Sequence, residues 1–478
     1  MNDKKLTRRG FLRIGALTAA GAALAGCAPK VVKETVVVER PVEKVVKETV
    51  MVEGTPQVVE KVVTATPAPK EPVTIEFTSN ELWEIYDPLV WDLIEERGLN
   101  VKLTGERTIM DLLGTGYPGF CDNVITRLAA GDQLDIIHIA VHGLFTLIAK
   151  NVVRPLDEFI DADPEFKKDI EEDIHPKLME LLQWQGKQYQ IPGDWNNMII
   201  HYNHKMFEEN GIADPKPDWT WDDFLETSLA VADVHGTEDD VYAYSWENWT
   251  FGMDPWFFNN DTSVVTDDWL DSNMLDPKVA ETLQYMSDLI SVHKAAPVPA
   301  GWDEYGQFVA SHQAMRSCGG WCMRYYWGAD FEDYKFQYQP TNRGGPIKTV
   351  VGTAGDSMTT ACRHPEEAWE VMKILCGPEV QMNFLTLDGA LQARRSVVET
   401  EQYRNLTRDA PADMSIFYES LDYAKRSVTP PNYNILEPLL GRWLDQLWAG
   451  EISVDECVQG AHAELQPEMD KMKRDLGL

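Results

Sequence analysis

From Val73 onward, short apolar strands and helical patterns take turns, and this alternation limits the fold more than any other feature. Val73–Thr78 reads VTIEFT, with apolar and polar residues alternating. Leu89–Arg97 has helical spacing and stops at Gly98, and Val101–Leu103 is a second short strand. Cys121–Ala130 is a further helix, Gly131-Asp132 breaks it, and Asp135–Ala140 (DIIHIA) reads as a buried strand before a helix at Leu144–Lys150. Strands fed by helices in this way predict an α/β fold with an open, largely parallel sheet covered on both faces. Val153–Ile160 reads as a long loop or short helix, and Met198–Tyr202 as another strand. Further helices are expected from Trp221 to Val234 with Thr220 as cap, at Pro277–His293, at Pro365–Leu375 and at Ile435–Ala449. A last one runs from Val454 towards Leu476, capped by Ser453, with a break at Pro467.

Residues 1–26 precede this rhythm and read as an export signal. Lys4, Lys5, Arg8, Arg9 and Arg13 form a basic start, and Gly15–Ala25 is a stretch of small apolar residues. That stretch is far shorter than the roughly 20 residues needed to span a bilayer. Thr7-Arg8-Arg9-Gly10-Phe11-Leu12 resembles a twin-arginine export motif, and Leu24-Ala25-Gly26-Cys27 resembles a lipobox. Cys27 is then the acylated mature N-terminus, and its acyl chains hold the protein at the membrane on the extracytoplasmic side. Residues 27–72 read as a lipid-anchored, low-complexity tether. VVKETV occurs at 31–36 and again at 45–50, no aromatic residue interrupts the segment, and valines favour extended backbone. Self-pairing of these valine runs is the alternative.

Charge excludes one class of partner. The chain carries 77 acidic and 43 basic residues, for a net charge of −34, and the leader itself takes away basic residues. Nucleic acid calls for a basic stripe, so it is not an expected partner. Six cysteines remain beyond Cys27. Cys318 and Cys322 flank Gly-Gly-Trp as a tight disulfide, a thiol pair or half of a metal site, and buried or bonded structural cysteines are the default. No dinucleotide fingerprint, P-loop or HExxH occurs, and no metal or cofactor is expected.

A series of segments in order resembles the family 1 extracellular solute-binding proteins, the carbohydrate receptors of ABC importers. These are LAAGDQLDIIHI at 128–139, VVRPLDEFI at 152–160, GKQYQIPGD at 186–194, IIHYNHKMFEENGI at 199–212, DWTWDDFLETS at 218–228, FVASHQAMRSCGGW at 308–321 and HPEEAWEVMKIL at 364–375. Asn151 and His312 stand where that family usually has glycine, and Leu134 where it often has proline. The resemblance implies a two-lobed periplasmic-binding-protein fold of type II, with ligand in the cleft between lobes 73–190 plus 350–398 and 191–349 plus 399–478. It also implies crossings near residues 189–192, 349–353 and 397–400, closure of the lobes on the ligand, a monomeric receptor without catalysis, and permease subunits as partners.

Sugar rings stack on flat apolar surfaces and offer hydroxyls to planar polar groups. The chain has 16 Trp, several in polar, turn-rich surroundings. Trp195 follows the first crossing, with Asp194 and Asn196 beside it. Trp249, Trp256, Trp302 and Trp83 are further candidate platforms, and the resemblance adds Trp321. Asn80 and Glu81 end the first strand, where α/β sheets bind ligands. Asp356, Tyr433, Glu247 and Asp303 complete the candidates. Two rival readings remain: an exported glycoside hydrolase, which needs two carboxylates about 5–9.5 Å apart, and a receptor for a non-sugar solute such as a peptide.

Overall fold

The computed structural model describes residues 43–52, 55–64, 71–81, 83–107, 116–235 and 241–478. The leader 1–26 and Cys27 lie outside the described residues. The chain divides into two units, Met1–Lys70 and Glu71–Leu478. In the first, β1 (Glu43–Val52) and β2 (Thr55–Thr64) pair antiparallel, Glu43 opposite Thr64 and Val52 opposite Thr55. The repeat at 45–50 thus lies in an extended strand, as its valine content favours, paired with the segment that follows it.

The second unit starts with the strands seen in the sequence. They are β3 (Val73–Ser79), β4 (Val101–Arg107) and β5 (Ile136–Ala140), and β6 (Ile191–Asn197) follows as a strand that extends past the crossing expected near residues 189–192. The chain then passes to β7 (Ile199–Asn203), β8 (Tyr242–Ser245), β9 (Gln313–Cys318) and β10 (Tyr334–Gln337). It returns through β11 (Thr349–Met358), β12 (Leu391–Gln392) and β13 (Ala424–Arg426). The result is two α/β lobes. One is built on a seven-stranded sheet, β12–β6–β11–β5–β3–β4 with β13 alongside β11, and the other on a four-stranded sheet, β8–β9–β7–β10.

The expected largely parallel sheet needs correction. β3 runs parallel to β4 and β5, but β5–β11, β11–β6 and β6–β12 are antiparallel. Helical crossovers give parallel pairing among the first three strands and again between β11 and β13. β11 re-enters from the other lobe and runs the opposite way. It is buried along its whole length, and its glycines let neighbouring backbone come close: a Cβ on Gly355 would sit 2.2 Å from the Ile191 carbonyl oxygen.

Helices cover both sheets. α1 (Leu89–Glu96), α2 (Gly116–Ala130) and α3 (Val141–Ala149) follow β3, β4 and β5 in turn. α4 (Trp221–His235) starts where Thr220 Oγ1 accepts from the Asp223 amide while Asp223 Oδ2 accepts from the Thr220 amide. α5 (Thr250–Phe258) and α6 (Pro277–Ser291) belong to the middle of the chain. α7 (Pro365–Leu375), α8 (Pro378–Asp388), α9 (Tyr433–Trp448) and α10 (Val454–Leu476) follow. The segment at 153–160 ends in a short helix, Asp157–Ala162.

α10 corrects a second expectation, because it continues through Pro467. Its buried stripe, Val454, Cys457, Val458, Ala461, Leu465 and Met469, keeps helical spacing on both sides of the proline. Pro467 and Ala463, whose carbonyl loses its partner, both lie on the exposed face, where water replaces the bond. Asn151 explains its departure from the family pattern: its φ is 54°, a left-handed conformation that Asn tolerates better than most side chains.

Candidate functional site

The cleft is built where strand ends and short helices of the two lobes meet. It encloses about 360 Å³, within the size range of small-molecule sites. β6 sets one wall. In a strand, residues two apart share a face, so Asp194 and Asn196 line the cleft while Trp195 points the other way. The pairing of β6 with β11 shifts between Ala354 and Gly355, leaving Gly193 unpaired in a bulge just before Asp194. Bulges re-aim the side chains beside them. Asn80 and Glu81, at the end of β3, and Thr353 of β11 complete this wall, with Phe384 and Asp388 of α8 beside it.

Behind the wall is a buried ion cluster. His138 Nδ1 is 3.1 Å from Asp356 Oδ1, and His138 Nε2 is 3.7 Å from Asp194 Oδ1. Burial alone would lower the imidazole, but Asp356 and Asp194 outweigh it and hold His138 up at about 10. Burial pushes the Asp194 carboxyl up in spite of the imidazolium. Glu81 is pushed up to about 7, first by burial and then by Asp194 and Asp388. Asp388 forms an ion pair with Arg324.

The opposite wall is aromatic. Tyr117 stacks on His142 with ring centres 5.0 Å apart, and Trp249 lies 5.0 Å from the same imidazole. Phe251, Trp321, Tyr305 and Tyr325 continue the surface, with Tyr305 and Tyr325 stacked at 4.1 Å. Glu247 ties these rings together. The Trp249 indole donates to Glu247 Oε2 at 2.8 Å, and the Tyr305 hydroxyl donates to Oε1 at 2.6 Å. Trp321 Nε1 donates in turn to the Tyr305 hydroxyl at 2.9 Å. Fully buried Arg316 sits 3.4 Å from Glu247 and 3.5 Å from Glu304, and over the Tyr305 ring. Among the described residues no carboxylate acts on His142, and burial lowers it to about 3.

The loop carrying Trp321 is fixed from both sides. A disulfide joins Cys318 and Cys322, while Cys121, Cys362, Cys376 and Cys457 are free and buried. The Trp321 ring folds back over Gly319 so closely that a Cβ there would fall 2.0 Å from it. The Gly320 amide donates to Asn196 Oδ1 at 3.0 Å, joining the loop to the polar wall. Among the described residues no group of three or more His, Cys, Asp or Glu is placed to hold a metal ion.

Six of the site candidates from the sequence thus border one cavity: Asn80, Glu81, Asp194, Asn196, Trp249 and Trp321. Glu247 borders it too. The others are placed elsewhere. Trp195 has no exposed surface, and its indole donates to the Gln392 carbonyl at 3.0 Å, so it offers no face to a solute. Trp256 is buried, donating to the Tyr244 hydroxyl. Trp83 packs against Phe77 and Trp91 beside the sheet. Trp302 donates to Gln313 and meets the Tyr242 ring edge-on. Asp356 is beneath the floor, Tyr433 is buried behind His142, and Asp303 caps the short helix Glu304–Val309. Tyr117, Phe251, Tyr305, Arg324, Tyr325, Phe384 and Asp388 border the cavity and were not among the sequence candidates. Looking only to tryptophan for platforms hides Tyr305 and Tyr325, although each adjoins a charged residue in sequence, Glu304 or Arg324.

Two α/β lobes around an inter-lobe cleft of aromatic and planar polar groups are the architecture of solute-binding receptors. The chain belongs to the family of bacterial extracellular solute-binding proteins, whose family model matches residues 111–411. Solved structures share the fold. An ABC substrate-binding protein from Listeria monocytogenes, in complex with cycloalternan, is 18% identical with a TM-score of 0.72, covering 85% of this chain and 100% of its own. An ABC transporter solute-binding protein from Thermotoga lettingae, bound with α-D-tagatose, is 20% identical with a TM-score of 0.69, covering 84% and 99%. UgpB from Mycobacterium tuberculosis, in complex with glycerophosphocholine, is 15% identical with a TM-score of 0.69, covering 84% and 98%. Among the described residues, no helix is long and apolar enough to cross a membrane.

Proposed function

We propose that this protein is the extracytoplasmic receptor of an ABC importer and binds a carbohydrate, of oligosaccharide size, in the cleft between its lobes. One observation carries the reading: aromatic side chains of Tyr117, Trp249, Phe251 and Trp321 line the same cavity as the planar polar groups of Asn80, Asp194 and Asn196. That pairing suits the apolar face and hydroxyl edge of a sugar ring. The cycloalternan and tagatose complexes of similarly folded receptors support the class.

In this reading the fold is of type II. The lobes are 73–190 with 350–398 and 191–349 with 399–478, with crossings near residues 189–192, 349–353 and 397–400; strands Ile191–Asn197 and Ala424–Arg426 of the second set reach across into the seven-stranded sheet, and the lobes close on the ligand by hinge motion. Residues 1–26 direct export by the twin-arginine route, Cys27 carries the lipid, 27–72 tethers the receptor, and the closed monomer presents its surface to the permease. No step of bond cleavage belongs to the function.

A thermal-shift screen of residues 28–478 against mono- and oligosaccharides, with peptides, amino acids and phosphate esters as controls, tests this. A ligand that binds only the folded state raises the midpoint. The expected outcome is a rise with a saccharide that is recovered intact. Shifts confined to the non-sugar controls would overturn the carbohydrate assignment, and cleavage of the sugar would overturn the receptor assignment.

A further inference from the structure

We infer that the solute carries a protonated amino group, so that the ligand class is an amine-bearing saccharide, its ammonium seated between Asp194, Glu81 and the aromatic wall. This rests on the carbohydrate reading and narrows it.

Four carboxylates border the cavity, Glu81, Asp194, Glu247 and Asp388, against one guanidinium, Arg324. The counter-charges are already assigned. Arg324 pairs with Asp388, and buried Arg316 pairs with Glu247 and Glu304. His138 is one positive charge between two carboxylates, and its hydrogen bond goes to Asp356. Asp194 is only 6% exposed, and the imidazole 3.7 Å from its Oδ1 is shared with Asp356. One cation between two buried carboxylates leaves negative charge in excess, and burying charge without a partner is costly. Neutral hydroxyls would satisfy the hydrogen-bonding capacity of Asp194 but not the surplus negative charge.

The aromatic wall points to the same class. Ring faces attract organic cations within about 6 Å, most strongly when both are withdrawn from water. Trp249, His142 and Tyr117 form a stacked group in the cavity, and His142 stays neutral there, so it adds no repulsion. A lone ammonium would leave much of this surface uncovered, whereas an ammonium on a sugar ring uses both walls.

Glu81 supplies a second signature. The charged groups that act on it are Asp194, Asp388, His138 and Arg324. Held up at about 7, Glu81 is mostly protonated at pH 6. An ammonium beside it favours the carboxylate, so binding at pH 6 releases a proton.

The test is calorimetry on residues 28–478 at pH 6. The probes are oligomers of glucosamine and galactosamine with their N-acetylated counterparts, neutral gluco-oligosaccharides, and choline. At least one amine is expected to bind about 10-fold more tightly than its acetylated partner, as a charge-assisted contact allows. Glu81→Gln and Asp194→Asn each shrink that gap, and Glu81→Gln abolishes the proton release measured in buffers of different ionisation heat. Melting temperatures of both variants show whether they remain folded, and Glu81→Gln alone decides if Asp194→Asn does not. Equal or tighter binding of neutral or acetylated sugars would overturn the amine while leaving the carbohydrate reading in place. Binding of choline alone, or of no saccharide, would overturn both.

Discussion

His138 and His142 are four residues apart, both buried, and they answer to opposite surroundings. His138 ends up between Asp194 and Asp356 and is held up at about 10. His142 lies among Tyr117, Trp249 and Phe251, and burial takes it down to about 3. One belongs to the polar wall, the other to the aromatic wall. Asp194, Asn196 and Thr353 of the polar wall are borne by strands, so these side chains are fixed by backbone register. The aromatic wall is borne by loops and short helices, and side-chain hydrogen bonds to Glu247 hold its rings in place. The difference teaches that the two walls fail in different ways.

The largest effect is expected at a residue that belongs to neither wall. Trp195→Ala removes a fully buried indole and its bond to Gln392, so it should cost about 3–5 kcal/mol of folding stability. Chemical denaturation measures this. Because Trp195 faces away from the cavity, the folded fraction should keep its affinity for the ligand. A large affinity loss in folded Trp195→Phe would break the assignment of faces along β6. On the aromatic wall, Glu247→Ala leaves Arg316 with Glu304 as its remaining carboxylate neighbour and frees Trp249 and Tyr305, and through Tyr305 it loosens Trp321. Breaking a buried pair this way should cost about 3 kcal/mol, and affinity should fall with stability. Trp249→Ala and Trp321→Ala act on half-exposed rings. They should cost little stability but about 2 kcal/mol of binding, roughly 30-fold in Kd, as aromatic anchors do. Unchanged affinity in both would remove the aromatic wall from the site.

The same contrast explains what was legible in the sequence. Helices and strands of the first lobe were readable because alternation and helical spacing are local. Val73–Ser79 and Pro365–Leu375 lie where the pattern put them. The polar wall was half readable. Asp194 and Asn196 stand out as polar groups just past a crossing, but no local pattern marks 193–197 as a strand, and its strand period puts Trp195 on the opposite face. Asp356 behaved the same way: it is on the right strand but under the floor. The aromatic wall was less readable, since Tyr117, Tyr305 and Tyr325 converge from separate parts of the chain, and no spacing relates them. The direction of β11 was not readable either, because it depends on a return from the second lobe.

The smallest effect concerns pH, and it separates the two histidines. A base whose folded pKa is raised adds stability that is present below its unfolded value near 6.5 and is lost as pH climbs towards 10. His138 does this. Asp254 and Glu304, both pushed up to about 8 with burial as the leading cause, act in the same direction, since ionising them costs the folded state. His142 works the other way. Its folded value near 3 lets the unfolded chain take up a proton first, so stability falls as pH drops from about 6.5 towards 3. His201, also buried and lowered, shares that acid limb. The melting temperature should therefore pass through a maximum between about pH 4, where Asp254 and Glu304 begin to cost stability, and about pH 6.5, where His142 and His201 cease to add it. His142→Phe, tolerable among aromatic neighbours, should flatten the acid limb and leave the alkaline limb alone. His138→Gln should lower the plateau, since it leaves Asp356 and Asp194 without their cation, and should flatten the alkaline limb only. A variant at either position that moved both limbs together would mean that the two walls titrate as one unit.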